Sequence, residues 1–270
     1  MRKIDDRFID DLREGVFSAF LRRVKADDSL CLEIRNNHIN IYYRGGNLLK
    51  ITQYKNSYRI FFDSKYCLNK GNETNYELLN SLKTNDIDGY TQSLDLMISE
   101  MDGWFKVHPK PEREFQHDLV KSNSCIVDIE YQIKHTSRLD MILFADNKII
   151  IVENKLGKGA ISGKAGIAKH YKDICDILND DQTRDELINS VVSISDAKYK
   201  LGLVDKPICK HEIHGSEILF LFAEYNEQSM ALQNEINQIS DTLPAKILFM
   251  GNDEHLIRLE CAEDLMSYGR

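Results

Sequence analysis

Large apolar residues in the first part of the chain recur with a helical spacing and then in short runs. Residues 4–25 place apolar side chains at intervals of three or four, namely Phe8, Ile9, Leu12, Val16, Phe17, Phe20 and Leu21. This periodicity predicts one amphipathic helix. Four β-rich runs follow at 29–35, 38–43, 48–53 and 58–62, separated by turn-forming residues. They predict a small antiparallel sheet that packs on the first helix.

A polar, asparagine-rich stretch then separates this region from a second helical pattern. Residues 65–86 contain a short helical segment at 76–82 and otherwise predict a connection. Residues 94–105 carry apolar side chains at helical spacing, and the pattern stops at a proline pair, Pro109 and Pro111, because proline disfavours helix in the residue before it. We therefore predict an α+β N-terminal domain at 1–85, a helical connector at 86–110 and a second domain at 111–270.

The second domain alternates between the two periodicities. A helix is predicted at 112–121, and three strands follow at 126–133, 137–144 and 148–153. Later elements are predicted in the order helix, helix, strand, helix and strand, at 166–178, 184–200, 217–223, 227–239 and 245–250. The order αβββαβαβ predicts an α/β fold in which helices pack on a central sheet.

Candidate chemistry is concentrated in residues 137–155, SRLDMILFADNKIIIVENK. Side chains on a strand alternate between faces, so Glu153 and Lys155 project from the same face roughly 6 to 7 Å apart. A two-residue loop at Asp146 and Asn147 would pair Asp140 with Glu153 across the hairpin. Two carboxylates facing each other across strands repel unless a cation lies between them. We therefore expect Asp140 and Glu153 to bind a divalent metal ion.

Spacing alone does not select this site. An acid followed two residues later by lysine also occurs at Asp63, Asp146 and Asp196. Only Glu153 ends an almost entirely apolar strand and has an acid one hairpin away. The simpler alternative is a solvated strand end in which Glu153 and Lys155 form an ion pair.

The pattern D-x(12)-E-x-K on a hairpin resembles the PD-(D/E)XK nuclease superfamily. The resemblance covers roughly residues 110–250, and Leu139 stands where the name-giving proline would be. It implies a restriction-endonuclease-like αβββαβ core, Mg²⁺ or Mn²⁺ as cofactor, and hydrolysis of phosphodiester bonds in DNA. It also implies that Lys155 positions the attacking water or stabilises the phosphate, and that restriction or phage defence is the biological setting.

The same resemblance suggests auxiliary residues. Members often carry a further acid on the leading helix, for which Glu112 is the first choice and Glu114 the second. Similar nucleases often place a polar or basic residue and an aromatic residue on the helix after the hairpin, where Lys169, His170 and Tyr171 lie. The candidates for phosphate contacts are Arg138, Lys158, Lys164, Lys169 and Tyr171. Residues 134–172 hold eight basic and three acidic side chains, although a solvated basic face would have the same composition.

Composition and the remaining motifs limit other functions. The formal net charge is −8, which argues against a general nucleic-acid coat. The chain has no GxSxG, HExxH or GxxxxGK[ST] motif and no CxxC pair. No apolar run approaches the ~20 residues of a membrane span, so we expect a cytoplasmic protein without membrane contacts.

Two alternatives stay open at the level of sequence. The fold could be retained as a non-catalytic binding module or as a partner-dependent subunit. The enzyme could also act on RNA, since the site would bind phosphates that both nucleic acids share. The N-terminal domain is expected to recognise the target, form a homodimer or bind a protein partner.

Overall fold

The structure is a computed structural model that describes residues 1–55, 57–67, 73–133, 138–157, 161–163, 166–225, 229–239, 243–251 and 253–268. Contacts within the chain divide it into two compact units. The N-terminal unit comprises Arg2–Lys121 and Asp196–Pro207, and the C-terminal unit comprises Ser122–Ser195, Ile208–Arg270 and Met1. Contacts thus group residues 111–121 with the N-terminal unit, whereas the sequence analysis grouped them with the second domain. Each unit is described by itself below.

The N-terminal unit begins with two helices, α1 (Asp6–Arg13) and α2 (Ser18–Ala26). The prediction of one helix over 4–25 was wrong, because the chain turns between them. The Gly15 N–H bonds to the Asp10 carbonyl, five residues back, instead of continuing the four-residue helical pattern. Glycine is also among the weakest helix formers, so the interruption falls where the helical propensity is lowest.

The four predicted N-terminal strands are confirmed as one antiparallel sheet in chain order. They are β1 (Leu30–Ile34), β2 (His38–Tyr43), β3 (Gly46–Tyr54) and β4 (Ser57–Phe61). The ring of Phe8 on α1 lies 4.9 Å from that of Tyr58 on β4, centroid to centroid. Phe17 lies 4.7 Å from the same tyrosine ring. These aromatic contacts confirm that the first helical region packs on the sheet.

Four further helices complete this part of the chain. They are α3 (Glu73–Ser81), α4 (Ile87–Gln92), α5 (Leu94–Val107) and α6 (Pro111–Ser122). The predicted helical connector at 86–110 contains α4 and α5, and the sequence analysis delimited only the second of them, because α4 is too short to show an apolar period. Its signal is local, because the Asp86 carboxylate accepts a hydrogen bond from the Gly89 N–H as an N-cap.

The C-terminal unit is built on a six-stranded sheet. Its strands are β5 (Ile126–Gln132), β6 (Arg138–Ala145), β7 (Lys148–Leu156), β8 (Gly215–Ala223), β9 (Ala245–Met250) and β10 (Glu263–Asp264), in the spatial order β10-β9-β8-β7-β6-β5. The strands β5, β6 and β7 are antiparallel, and β7, β8 and β9 are parallel. The two-residue β10 was not predicted, because two residues carry no readable alternation.

Helices connect the later strands of this sheet. They are α7 (Ile167–Asn179), α8 (Asp181–Lys200) and α9 (Met230–Ile236). Together the elements define a mixed α/β protein, as the sequence predicted. Among helices in the described ranges, none is long and apolar enough to cross a membrane.

The hairpin turn between β2 and β3 requires glycine at its second position. Arg44 and Gly45 have φ angles of 48° and 70°, both in the left-handed region. A Cβ atom added to Gly45 would lie 2.3 Å from the backbone oxygen of Arg113 on α6. The turn therefore depends on glycine both for its conformation and for its close approach to α6.

We expect Gly45→Ala to lower the free energy of unfolding by about 2 kcal/mol or more, because it combines an unfavourable φ with a backbone clash. Urea unfolding measures the loss. Gly215→Ala is the control, since nothing lies within 4 Å of its added Cβ. Equal effects of the two substitutions would contradict this account of the turn.

A buried ion pair joins the last turn of α8 to β1 within the N-terminal unit. The Lys198 ammonium lies 3.0 Å from each carboxylate oxygen of Glu33. The Glu33 and Lys198 residues are 1% and 6% exposed. Arg35 lies 3.9 Å from the same carboxylate and donates a hydrogen bond to the Tyr42 hydroxyl. Charges this deeply buried are tolerated only with partners, so Lys198 is needed to offset the desolvation of Glu33.

Removal of Lys198 should destabilise the protein much more than removal of its neighbour Lys200. For Lys198→Met we expect the free energy of unfolding to fall by about 3 kcal/mol. The loss is no larger because Arg35 still faces Glu33. Lys200 forms exposed ion pairs with Asp6 and Asp196, so Lys200→Met should cost at most about 1 kcal/mol. Chemical denaturation of both variants tests this, and similar losses would refute it.

Candidate functional site

The register of the β6–β7 hairpin is the one that the sequence predicts. Strand partners run from Ala145 and Lys148 beside the turn to Met141 and Val152. The turn residues Asp146 and Asn147 have φ angles of 49° and 59°. Two consecutive left-handed residues form the turn type that matches the twist of a hairpin, and Asp and Asn tolerate it well. The predicted two-residue loop is therefore confirmed.

Asp140 and Glu153 occupy the next positions beyond the last paired residues. There the Asn154 backbone N–H of β7 donates a hydrogen bond of 3.1 Å to the Asp140 carboxylate of β6. Asp140 is half-buried and Glu153 is 3% exposed. The hairpin thus ends with two acidic residues at adjacent positions, one on each strand.

Lys155 joins this pair from the same face of β7. Its ammonium donates to the Glu153 carboxylate oxygen Oε1 at 2.9 Å, and the lysine is 7% exposed. The register pairs Glu153 with Phe220 and Lys155 with Phe222 on β8, and both phenylalanines are fully buried. Burial among apolar residues makes the desolvation of an ion pair costly, so the pair adds little stability. Its position beside Asp140 makes it a candidate functional site.

His170 on α7 also contacts Glu153. Its Nε2 atom lies 3.2 Å from Oε1, the oxygen that Lys155 binds. Burial lowers the pKa of His170, the positive charge of Lys155 lowers it further, and Asp140 acts in the opposite direction. The lowered pKa favours the neutral imidazole, and the contact with Glu153 is a close polar approach of Nε2 to the carboxylate.

The sequence analysis did not choose His170 as a site residue, although its position carried a signal. The buried residues of α7 include Ile167, Tyr171 and Ile174, a stripe at helical spacing. His170 lies three residues after Ile167 and four before Ile174, on the edge of that stripe. A polar residue at the edge of an apolar helix face is a candidate for contact with buried charges on the sheet beneath.

The residues that were predicted to contact phosphates differ in their exposure and in their partners. Tyr171 is 2% exposed and its hydroxyl donates to the Leu243 carbonyl, so it is a core residue without surface to offer a nucleic acid. Lys169 is exposed and pairs with Asp173 on its own helix. Arg138 is exposed and lies 3.5 Å from Glu130. Lys158 and Lys164 lie outside the described residues.

The acids of the leading helix belong to the N-terminal unit. Glu112 is exposed on the first turn of α6. The Arg44 Nε–H donates a hydrogen bond of 2.8 Å to the Glu114 carboxylate, and a terminal guanidinium nitrogen of Arg44 lies 2.6 Å from the same carboxylate. The role of Glu112 as an auxiliary metal ligand stays a prediction, and Glu114 has a partner within its own unit.

The donor atoms at the hairpin suit a hard divalent ion. Within the described ranges, no group of three or more His, Cys, Asp or Glu side chains could hold a metal. However, Mg²⁺ usually takes one or two protein carboxylates and completes its octahedron with water and substrate phosphate. Asp140 and Glu153 supply that number of carboxylates from neighbouring strands, so they fit Mg²⁺ or Mn²⁺ rather than a Cys/His zinc centre.

No protein-family model, curated protein or solved structure matches this chain in comparisons with each. A function for the protein therefore has to be inferred from its own residues and their geometry.

The charges around His170 should move its pKa in opposite directions. Lys155→Met removes a positive charge and should raise the pKa of His170, whereas Asp140→Asn removes a negative charge and should lower it. Titration of the imidazole C–H resonances by NMR measures both shifts. Lys148→Met at the far end of β7 is the control and should leave the pKa unchanged.

Shifts of the same sign in the two site variants would show that these charges do not reach His170. In the wild type, the folded-state pKa lies below the unfolded value of about 6.5. The contribution of neutral His170 to stability is thus present above that pH and is lost as the pH falls below it.

Proposed function

We propose that this protein is a metal-dependent nuclease of the PD-(D/E)XK type that hydrolyses phosphodiester bonds in DNA. The observation that carries the proposal is that Asp140 and Glu153 lie just beyond the last paired residues of β6 and β7, with Lys155 bonded to Glu153. The antiparallel β5-β6-β7 meander with β8 parallel to β7 is consistent with a restriction-endonuclease-like core. The buried Lys–Glu pair differs from a purely structural ion pair in having Asp140 on the neighbouring strand, which favours a catalytic reason for it.

In this proposal Asp140 and Glu153 hold Mg²⁺ or Mn²⁺. The bound ion would lower the pKa of a water molecule and balance the charge that develops on the phosphate. Lys155 presents a compact ammonium beside the carboxylates, where it can orient the water or stabilise the transition state. The low exposure of Glu153 and Lys155 strengthens these electrostatic interactions, because little water screens them.

The broader setting follows from the resemblance alone. Restriction or phage defence in the cytoplasm would suit a nuclease of this class. The N-terminal unit, with its four-stranded sheet, would recognise the target, mediate a homodimer or bind a protein partner. RNA stays an alternative substrate, because the proposed site contacts phosphates rather than bases.

A non-catalytic binding module is the second candidate, and one contact favours it. Lys155 and Glu153 already neutralise each other at 2.9 Å, so the pair is stable without a cation. In such a module the hairpin residues would be retained while metal binding and hydrolysis are absent. The two candidates therefore differ in their response to metal ions.

The direct test is cleavage of supercoiled, linear and single-stranded DNA and of RNA in Mg²⁺, in Mn²⁺ and in EDTA. We expect wild type to cut DNA only with a metal ion. Lys155→Met should reduce the rate at least about 10²-fold, because it removes a positioned charge at the phosphate. Asp140→Asn and Glu153→Gln should raise the metal concentration needed for half-maximal activity.

Matched controls come from the same hairpin. Lys148→Met removes a lysine at the other end of β7, and Asp146→Asn changes an acid in a turn position that asparagine tolerates. Both controls should cut like wild type. If wild type cuts no substrate in either metal and binds neither ion, the nuclease is excluded and the binding module is favoured.

A further inference from the structure

The Glu153 carboxylate is held from two different elements of the C-terminal unit. Lys155 approaches Oε1 from the same strand, and His170 approaches the same oxygen from α7. The Lys155 contact is a hydrogen bond of 2.9 Å, and the His170 contact is a close approach of Nε2 at 3.2 Å. The orientation of Glu153 is therefore determined by a helix that covers the sheet as well as by its own strand.

Neighbours of His170 do not share this contact. Lys169 pairs with Asp173 on the exposed side of α7, and Tyr171 reaches the Leu243 carbonyl from the buried side. Of these three consecutive residues, His170 is the one that contacts Glu153 on the hairpin.

The shared oxygen also affects Lys155. The ammonium is the closer of the two groups to Oε1, at 2.9 Å against 3.2 Å for the His170 Nε2 atom. Because a second polar group approaches from α7, the position of the carboxylate does not depend on Lys155 alone. Partners of this kind fix the geometry of residues that bind metal ions.

We propose that His170 is a positioning residue that holds the Glu153 carboxylate in the orientation required for cation binding through the contact of its Nε2 atom with Oε1. This inference rests on the proposed nuclease function and adds a residue that the E-x-K motif does not contain. His170 acts through Glu153 and needs no contact with the substrate.

Mn²⁺ binding, followed by EPR with and without a phosphorothioate duplex that resists hydrolysis, tests the inference. His170→Leu should weaken Mn²⁺ binding about 10- to 100-fold, the usual effect of losing a partner behind a metal ligand. His170→Gln should stay close to wild type, because the glutamine amide can donate from a similar position. His211→Leu, an exposed histidine in the same unit, is the control and should bind like wild type.

Kinetics separate positioning from substrate binding. In His170→Leu we expect kcat to fall at subsaturating Mn²⁺ while the KM for DNA stays unchanged. Thermal unfolding of each variant shows whether the substitution disturbs the fold. A purely structural role would lower the melting temperature and leave the Mn²⁺ affinity of the folded protein as it was.

The outcomes distinguish the two proposals. Wild-type Mn²⁺ binding and cleavage with equal Mn²⁺ affinity in His170→Leu would overturn the role of His170 and leave the nuclease intact. Equal losses in His170→Leu and His170→Gln would also overturn it, because a donor at that position would then not matter. Failure of wild type to bind Mn²⁺ and to cut DNA would overturn the nuclease, and this inference with it.

Discussion

The two-residue turn at Asp146 and Asn147 determines which side chains of the C-terminal unit can meet. Both residues adopt left-handed conformations, and this turn aligns Met141 with Val152 and places Asp140 next to Glu153. Because side chains alternate with a period of two, a slip of one residue would move every side chain of a strand to the opposite face. The proposed site therefore depends on the turn that lies at the other end of the hairpin.

The protein buries charged side chains at the end of this hairpin, although burial of charge is unfavourable. Glu153 and Lys155 lie beside buried phenylalanines of β8, and the His170 Nε2 atom on α7 lies 3.2 Å from Glu153. Ordinary packing would fill this face with apolar residues, as it does for Ile149 and Ile151 on the same strand. The departure from apolar packing at the strand end means that Glu153 and Lys155 do not form a solvated ion pair.

The N-terminal unit also contains a buried ion pair, and this one has a structural role. Glu33 and Lys198 are as deeply buried as the hairpin pair, yet they join a strand to the last turn of α8 and lie beside Arg35 and Tyr42. Gly45 allows the β2–β3 turn to approach α6. Buried charge by itself is therefore not a sign of function, and the neighbouring Asp140 is what sets the hairpin pair apart.

The sequence by itself determined the local structure of this protein. The period-two runs, the Asp146-Asn147 turn and the apolar strand before Glu153 were enough to predict the strands, their register and the face shared by Glu153 and Lys155, because these depend on residues close in the chain. Only the tertiary structure decided that His170 contacts Glu153 and that Tyr171 is buried against Leu243. It also grouped Glu112 with the N-terminal unit. Such contacts depend on how a helix lies over a sheet, and helical periodicity specifies a face of the helix but not the residue that the face will meet.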